Sequence, residues 1–214
     1  MSLRTLSLGL MLLAAAASAQ QLSDMTEDGL VRVPSSRRVG VYRAPDVPFA
    51  RYRRISIGSI PVVFRKNWDR KNPQLKEVER ENLRAELVRM FRQELIAELV
   101  ERGGYQLTDS TDPDVLRIDP SIIDLDISAP DAGTVPGTRT FVRTTGSMQL
   151  NVELHDAASG VTVARIIDYE KGREDRELQL ANRVTTTEEL RLMFANAARY
   201  TREALNVAKA RREP

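Results

Sequence analysis

The segment LRIDPSIIDLDI, residues 116–127, places Asp119, Asp124 and Asp126 among isoleucines and leucines. Carboxylates grouped this way invite two kinds of chemistry. A hard cation such as calcium takes about six or more oxygens in one shell. Two carboxyls can also act as general acid and base when their environments separate their pKa values. The spacing favours neither. Asp124 and Asp126 alternate with Ile123, Leu125 and Ile127, so on a strand they share one face and the apolar residues share the other. Two carboxylates on one strand face are too few for calcium, and nothing in the sequence buries one more than the other. They read as the wet side of a strand, with no metal ligand and no catalytic residue among them.

Other reactive side chains are scarce. There is no cysteine, which removes thiol catalysis and disulfides, and one histidine, His155. In HDAASG, His155 adjoins Asp156 and lies near Ser159. These are the residue types of a hydrolytic triad, but the segment reads as a hairpin turn with His155 on the outward parity, so it is given no catalytic part. One histidine cannot supply a multi-histidine zinc set. The G-x-S-x-G elbow, the phosphate-binding loop and the dinucleotide glycine fingerprint are all missing, so no cofactor is expected. A glycosidase-type carboxylate pair has no fixed sequence spacing and stays open. Two basic clusters stand out: Arg51, Arg53 and Arg54, then Arg65, Lys66, Arg70 and Lys71 around Trp68. Cations beside an indole suit an anionic or sugar-bearing surface. They also suit a solvated connector with the tryptophan tucked beneath it, which is the reading taken. The 32 Lys and Arg against 30 Asp and Glu leave a net charge of +2 without a basic stripe, so nucleic acid is not expected as a partner.

Elements must hold these residues in place. MSLRTLSLGLMLLAAAASAQ has one early cation, an apolar stretch of about a dozen residues and a small-x-small site at Ala17-Ser18-Ala19, the form of a secretory leader cleaved before Gln20. Residues 1–19 are therefore expected to be a signal peptide, placing the mature chain in the periplasm. Without a cysteine, no lipid anchor is expected, and no later apolar run is long enough to span a membrane. Residues 20–52, with prolines at 34, 45 and 48, read as an extended N-terminal arm. Residues 53–210 read as one domain. RRISIGSIPVVF is a strand whose apolar parity flips near Gly58-Ser59, and VLRIDPSIIDLDI another, with a flip at Pro120. Between them a helix begins near Asn72 and stops at Gly103-Gly104, with Leu83, Leu87, Phe91, Leu95 and Leu99 four apart. Ala129 to Arg139 is a long connection.

FVRTTGSMQLNVELHD alternates cleanly, with Val142, Thr144, Gly146, Met148, Leu150, Val152 and Leu154 facing in. After a turn at DAASG, VTVARIIDYEKGR returns. A last helix is capped by Thr185 or Thr186 and presents a narrow stripe from Leu190 to Ala208. The expected fold class is α+β, a two-layer sandwich with a mainly antiparallel sheet of about four strands and two helices on one face. Its other face would carry Asp124, Asp126, Gln149, Asn151 and Glu153.

Taken together, DGLVRVPSSR, FARYRRISIGSIPVVFRKNW, DVLRIDPSIIDLDISAPD and GSMQLNVELHDAASGVTVARIID make the chain similar to the family called domain of unknown function 3313. The resemblance runs over about residues 28–205. It implies an exported bacterial protein, often a lipoprotein, and supplies no activity and no site residues to carry over. The missing cysteine departs from the lipoprotein habit. The expected function is a non-enzymatic binding or structural module of the cell envelope, with an envelope protein or glycan as partner. The alternative is a carboxylate-based hydrolase acting on envelope polymers.

Overall fold

Met148 to Leu154, the clearest alternation in the sequence, lies in the middle of the sheet. In the computed structural model, residues 24–35, 39–73, 75–127, 141–142, 146–172, 179–180 and 183–210 are described. The strands are β1 (Val31–Val33), β2 (Val39–Arg43), β3 (Arg54–Ile57), β4 (Val62–Phe64), β5 (Gln106–Leu107), β6 (Val115–Ile127), β7 (Phe141–Val142), β8 (Gly146–Asp156), β9 (Thr162–Lys171) and β10 (Gln179–Leu180). The α-helices are α1 (Trp68–Lys71), α2 (Glu77–Ile96) and α3 (Arg183–Ala210). Eight strands form one sheet in the order β1-β2-β9-β8-β6-β3-β5, with β4 also on β6, and β7 pairs with β10 apart from it.

This corrects the expectation of four mainly antiparallel strands and two helices. The sheet is mixed: β3 and β4 both run parallel to β6, and β5 parallel to β3. The reason is the connection. Between β4 and β6 the chain passes through α2, and such a crossover returns it in its original direction. The strand expected over RRISIGSIPVVF is divided into β3 and β4, β5 is added after α2, and the other added strands come from the N-terminal segment. Despite its prolines it supplies β1 and β2, and β2 pairs antiparallel with β9 along its whole length. The third helix, α1, is a single turn around Trp68. Strand pairing by short polar segments depends on an edge offered elsewhere in the chain, so local pattern could not reveal it.

Cross-strand register sets the faces. Ile118, Leu154 and Ala164 align, as do Ile122 and Leu150, and all are buried. These residues share one core with Leu87, Phe91, Leu95 and Leu99 from α2 and its continuation and with Leu190, Phe194 and Ala197 from α3. Phe91 and Phe194 stack at 5.0 Å between ring centres, joining the two helices. The end of α2 widens into a π-helical turn, Ala97–Arg102. There the buried Glu98 carboxylate accepts from Arg202 Nε of α3 at 2.8 Å and also pairs with Arg102. Burial opposes ionisation of Glu98, and these two guanidiniums outweigh it, holding the carboxyl below its ordinary range.

Boundaries moved where local chemistry competed. The helix starts at Glu77 and not at Asn72, with the Lys76 N–H donating to Glu79 Oε2 at 2.7 Å. Asn72 instead closes α1, donating from Nδ2 to the Trp68 carbonyl at 3.0 Å. α3 begins at Arg183, so Thr185 and Thr186 lie within its first turn and not ahead of it. The parity flip of β6 is at Asp124, not Pro120. Even-numbered residues are buried through Ile122, then Leu125 and Ile127 are buried, and Asp124 between them has φ +51°. The connection at Ala129–Arg139 and the facing of Val142 and Thr144 lie outside the described residues. Among the described residues no helix is long and apolar enough to cross a membrane.

Candidate functional site

The face of the sheet turned away from α2 and α3 carries the residues that could do chemistry. Its rows follow from the ladder: Arg117, His155 and Thr162; Asp119, Glu153 and Arg165; Ser121, Asn151 and Ile167; Ile123, Gln149 and Tyr169; Asp126 with Ser147. Every one of them is half-buried or exposed, but Tyr42 and Gly40, which extend the Arg165 and Ile167 rows onto β2, are buried, so among the described residues this face is covered at its β2 edge and open from β9 to β6.

One end is organised by Arg65. It donates from Nε and Nη2 to the two Asp124 oxygens at 3.0 and 2.8 Å, from Nη1 to Asp126 at 2.8 Å, and from Nη2 to Ser147 Oγ at 3.0 Å. Lys71 Nζ adds a 3.0 Å contact to Asp126. The Arg65 hydrogen bonds hold the Asp124 carboxyl below its ordinary range despite partial burial. Trp68 is buried beneath, donating from Nε1 to the Ile127 carbonyl at 2.9 Å, and Phe64 stacks on it at 4.1 Å. The basic cluster around Trp68 and the aspartates of β6 looked like separate features in the sequence. They are one, because β4 runs alongside β6 and carries Arg65 to the bulge. Asp124 is itself the bulge residue, and aspartate tolerates that left-handed backbone better than most residues do.

The other end is organised by His155. Its Nε2 lies 3.3 Å from Asp119 Oδ2 and 3.7 Å from Glu153 Oε2, and Nδ1 is 3.2 Å from Thr162 Oγ1. Arg117 pairs with Asp119 at 2.7 Å. Arg165 joins Glu153 at 2.8 Å and reaches Asp28 of the N-terminal segment at 2.9 Å. The Arg165 guanidinium is held charged beyond its usual range, Glu153 and Asp28 outweighing its burial. Asp156 and Ser159 do not join this group. Both are on the opposite side of the hairpin end, where Ser159 Oγ and N–H donate to Asp156 Oδ1 at 2.8 Å each. His155, Asp156 and Ser159, neighbours in sequence, therefore form no triad.

Between these two ends the face changes character. Gln149 Nε2 donates to Asn151 Oδ1 at 2.8 Å, and among the described residues the Gln149 carbonyl and the Asn151 amide N–H groups have no further partner. Tyr169 stands beside Gln149 and is 39% exposed; Ile123 and Ile167 flank the pair. The sequence pointed to Gln149, Asn151 and Glu153 by alternation. It missed Tyr169 and Ile167, because β9 puts the adjacent Ile166 and Ile167 on opposite faces and buries Asp168, so its face follows from its register against β8 and not from its composition.

The arrangement gives a direct expectation. Asp124→Asn with Asp126→Asn removes ion pairs in which Asp124 is about half exposed, and such pairs contribute ~0–1 kcal/mol each. The double variant should lose no more than about 2 kcal/mol in denaturant unfolding, with asparagine equally at ease at the bulge. Millimolar calcium should move the melting temperature of neither protein. A calcium-dependent rise in wild type that the double variant lacks would show that the carboxylates hold a metal in preference to Arg65.

No curated protein sequence matches the chain. Among solved structures it is similar to a PelC dodecamer from Paraburkholderia phytofirmans, at 10% identity and TM-score 0.38 over 74% of this chain and 96% of that one. It is also similar to a DUF4136 family protein from Bacteroides thetaiotaomicron, at 12% identity and TM-score 0.34 over 78% and 95%. A PDZ domain protein from Parabacteroides distasonis is similar at 13% identity and TM-score 0.40, over 76% of this chain but 35% of its own. Likeness at this level establishes neither a shared fold nor a shared activity. Sequence does establish kinship: the family described as protein of unknown function DUF3313 matches residues 19–201, most of the length and all of the sheet, and the chain belongs to that family.

Proposed function

We propose that this is an exported, periplasmic, non-enzymatic module of the cell envelope that binds an uncharged stretch of glycan on the open face of its sheet. One observation carries the reading. The charged groups at both ends of that face are engaged with one another, and between them lies a neutral strip of two carboxamides, an exposed tyrosine and two isoleucines. Carboxamides donate and accept in one plane, as sugar hydroxyls require, and a tyrosine ring offers an apolar platform with a polar tip. The rigid ladder beneath fixes these side chains without a loop having to order on binding. Export rests on the leader-like residues 1–19.

The test is sedimentation with purified sacculi and affinity electrophoresis in gels containing a neutral polysaccharide. Retention of wild type is expected. Tyr169→Ala and Asn151→Ala should each weaken it about tenfold, or ~1.4 kcal/mol, with unchanged melting. Binding should vary little from ~0.05 to 0.5 M salt, since screening acts on charges. No retention on any glycan, or a steep salt dependence, refutes the reading. Release by osmotic shock of a chain starting at Gln20 tests the location.

A further inference from the structure

On the helix side of the sheet, away from the strip just described, a cavity of about 360 Å³ lies between the C-terminal half of α3 and strands β1, β2 and β9. Its α3 wall mixes short and long side chains, Ala204 and Ala208 beside Leu205 and Tyr200. The first turns of α3 present Leu190, Met193 and Phe194 to the core, and these fill the space between helix and sheet. Farther on, Ala204 and Ala208 face Val41 and Ile166 across a gap that short side chains cannot close. Protein interiors seldom keep voids much larger than a water molecule, and apolar voids stay dry and accept apolar guests. The volume falls within the ~300–1,000 Å³ range of small-molecule sites.

The lining is sorted by depth. Phe49, Leu154, Ile166 and Ala208 are buried. The polar lining residues, Ser35, Arg43, Tyr200 and Glu203, are all half-buried or exposed. Whatever enters must therefore be hydrocarbon at its inner end and polar at its outer end. The mouth opens beside Val207, which lines the cavity while 59% exposed, so an apolar chain meets apolar surface before it enters. If a methylene takes roughly the ~30 Å³ share of a liquid water molecule, there is room for one chain of about twelve carbons and not for two.

We propose that this cavity is a binding site for the aliphatic chain of a single-chain amphiphile, a fatty acid of about twelve carbons, with its head group held at the rim. The site is separate from the glycan strip and stands or falls independently of it. The probe is dodecanoate, measured by titration calorimetry on the purified protein and by displacement of the amphipathic dye 1-anilinonaphthalene-8-sulfonate. Wild type should bind about one equivalent, and hexanoate should bind at least tenfold more weakly. Ala204→Leu and Ala208→Leu, made separately, place a branched side chain in the gap. Each should weaken dodecanoate binding at least tenfold while the melting temperature holds or rises, which unfolding of the variant would not produce. Dodecyl maltoside, with the same chain and an uncharged head, should bind within about tenfold of dodecanoate, since the buried chain supplies most of the contact. The proposal is overturned if wild type binds neither amphiphile, if hexanoate binds as well as dodecanoate, or if both leucine variants remain folded and bind like wild type.

Discussion

Leu150→Asp will leave no folded domain at room temperature, while Asn151→Asp, one residue on, will melt within a few degrees of wild type. Leu150 has no exposed surface and is aligned with Ile122 on one side and Asp168 on the other. Truncating such a leucine alone costs ~2–5 kcal/mol. An aspartate there adds a buried carboxylate beside Asp168, at a further several kcal/mol even after relaxation. The sum reaches the ~5–15 kcal/mol that holds a typical domain together. Slipping the strand by one residue offers no escape, because β8 is paired on both edges and a slip would turn Met148, Val152 and Leu154 outward as well. Asn151 is half-buried on the opposite face, and its oxygen already accepts from Gln149, which a carboxylate continues to do. A change within about 0.5 kcal/mol is expected there. Circular dichroism melts of the two variants decide the matter; equal melting temperatures would refute the register.

The second large effect concerns Asp156, which fastens the turn around Phe49–Arg51 to the end of the β8–β9 hairpin. Its Oδ2 accepts from the Tyr52 hydroxyl at 3.0 Å and from Arg51, while Oδ1 accepts from the Ser159 N–H and hydroxyl. Tyr52 is wholly buried and Asp156 nearly so. Burial alone would raise the Asp156 pKa. The Ser159 hydrogen bonds, then Tyr52 and the Arg51 charge, outweigh it and hold the carboxyl below its ordinary value. Asp156→Asn turns a carboxamide N–H2 towards the tyrosine hydroxyl and the guanidinium, or else surrenders the Ser159 contacts. A loss of about 2–4 kcal/mol at pH 7 is expected.

The sign of the pH dependence follows from the direction of the shift. A carboxyl whose folded pKa is depressed contributes its full stability above the unfolded value, near ~4, and loses it as pH falls through the folded value. The difference between wild type and Asp156→Asn in urea unfolding should therefore be constant from about pH 5 to 7 and shrink below ~4. A difference that is the same at pH 3 and pH 7 would show that the ionised form does not hold this turn.

Where local pattern and register agree, sequence was enough. Residues 148–155 alternate in hydropathy, and the same alternation separates core from solvent in the sheet. The four-residue steps from Leu87 to Leu99 are the buried stripe of α2 and its π-helical end. In both cases one element meets one partner surface, so period alone states which side is dry. The extra strands were not legible, because β1, β2 and β5 are short, polar or proline-flanked and become strands by pairing with an edge that other segments create. The parity flip of β6 was legible as an event but not as a place, because Pro120 can sit in a strand whose neighbour asks nothing of its nitrogen, whereas Asp124 takes the left-handed backbone that a bulge needs.

The candidate sites divide along the same line. Sequence by itself determined which catalytic chemistries were missing, through the lack of cysteine and the single histidine, and that Gln149, Asn151 and Glu153 share a wet face. Only the tertiary structure decided that Arg65 belongs to Asp124 and Asp126, because two segments about sixty residues apart meet through parallel pairing of β4 with β6. It alone placed Tyr169 beside the carboxamides, since the register between β8 and β9 chooses the face on which each residue of this mixed strand emerges. It alone opened the cavity under α3: Ala204 and Ala208 on the helix and Val41 and Ile166 on two strands are far apart in sequence, and only their packing in the fold leaves a space among them.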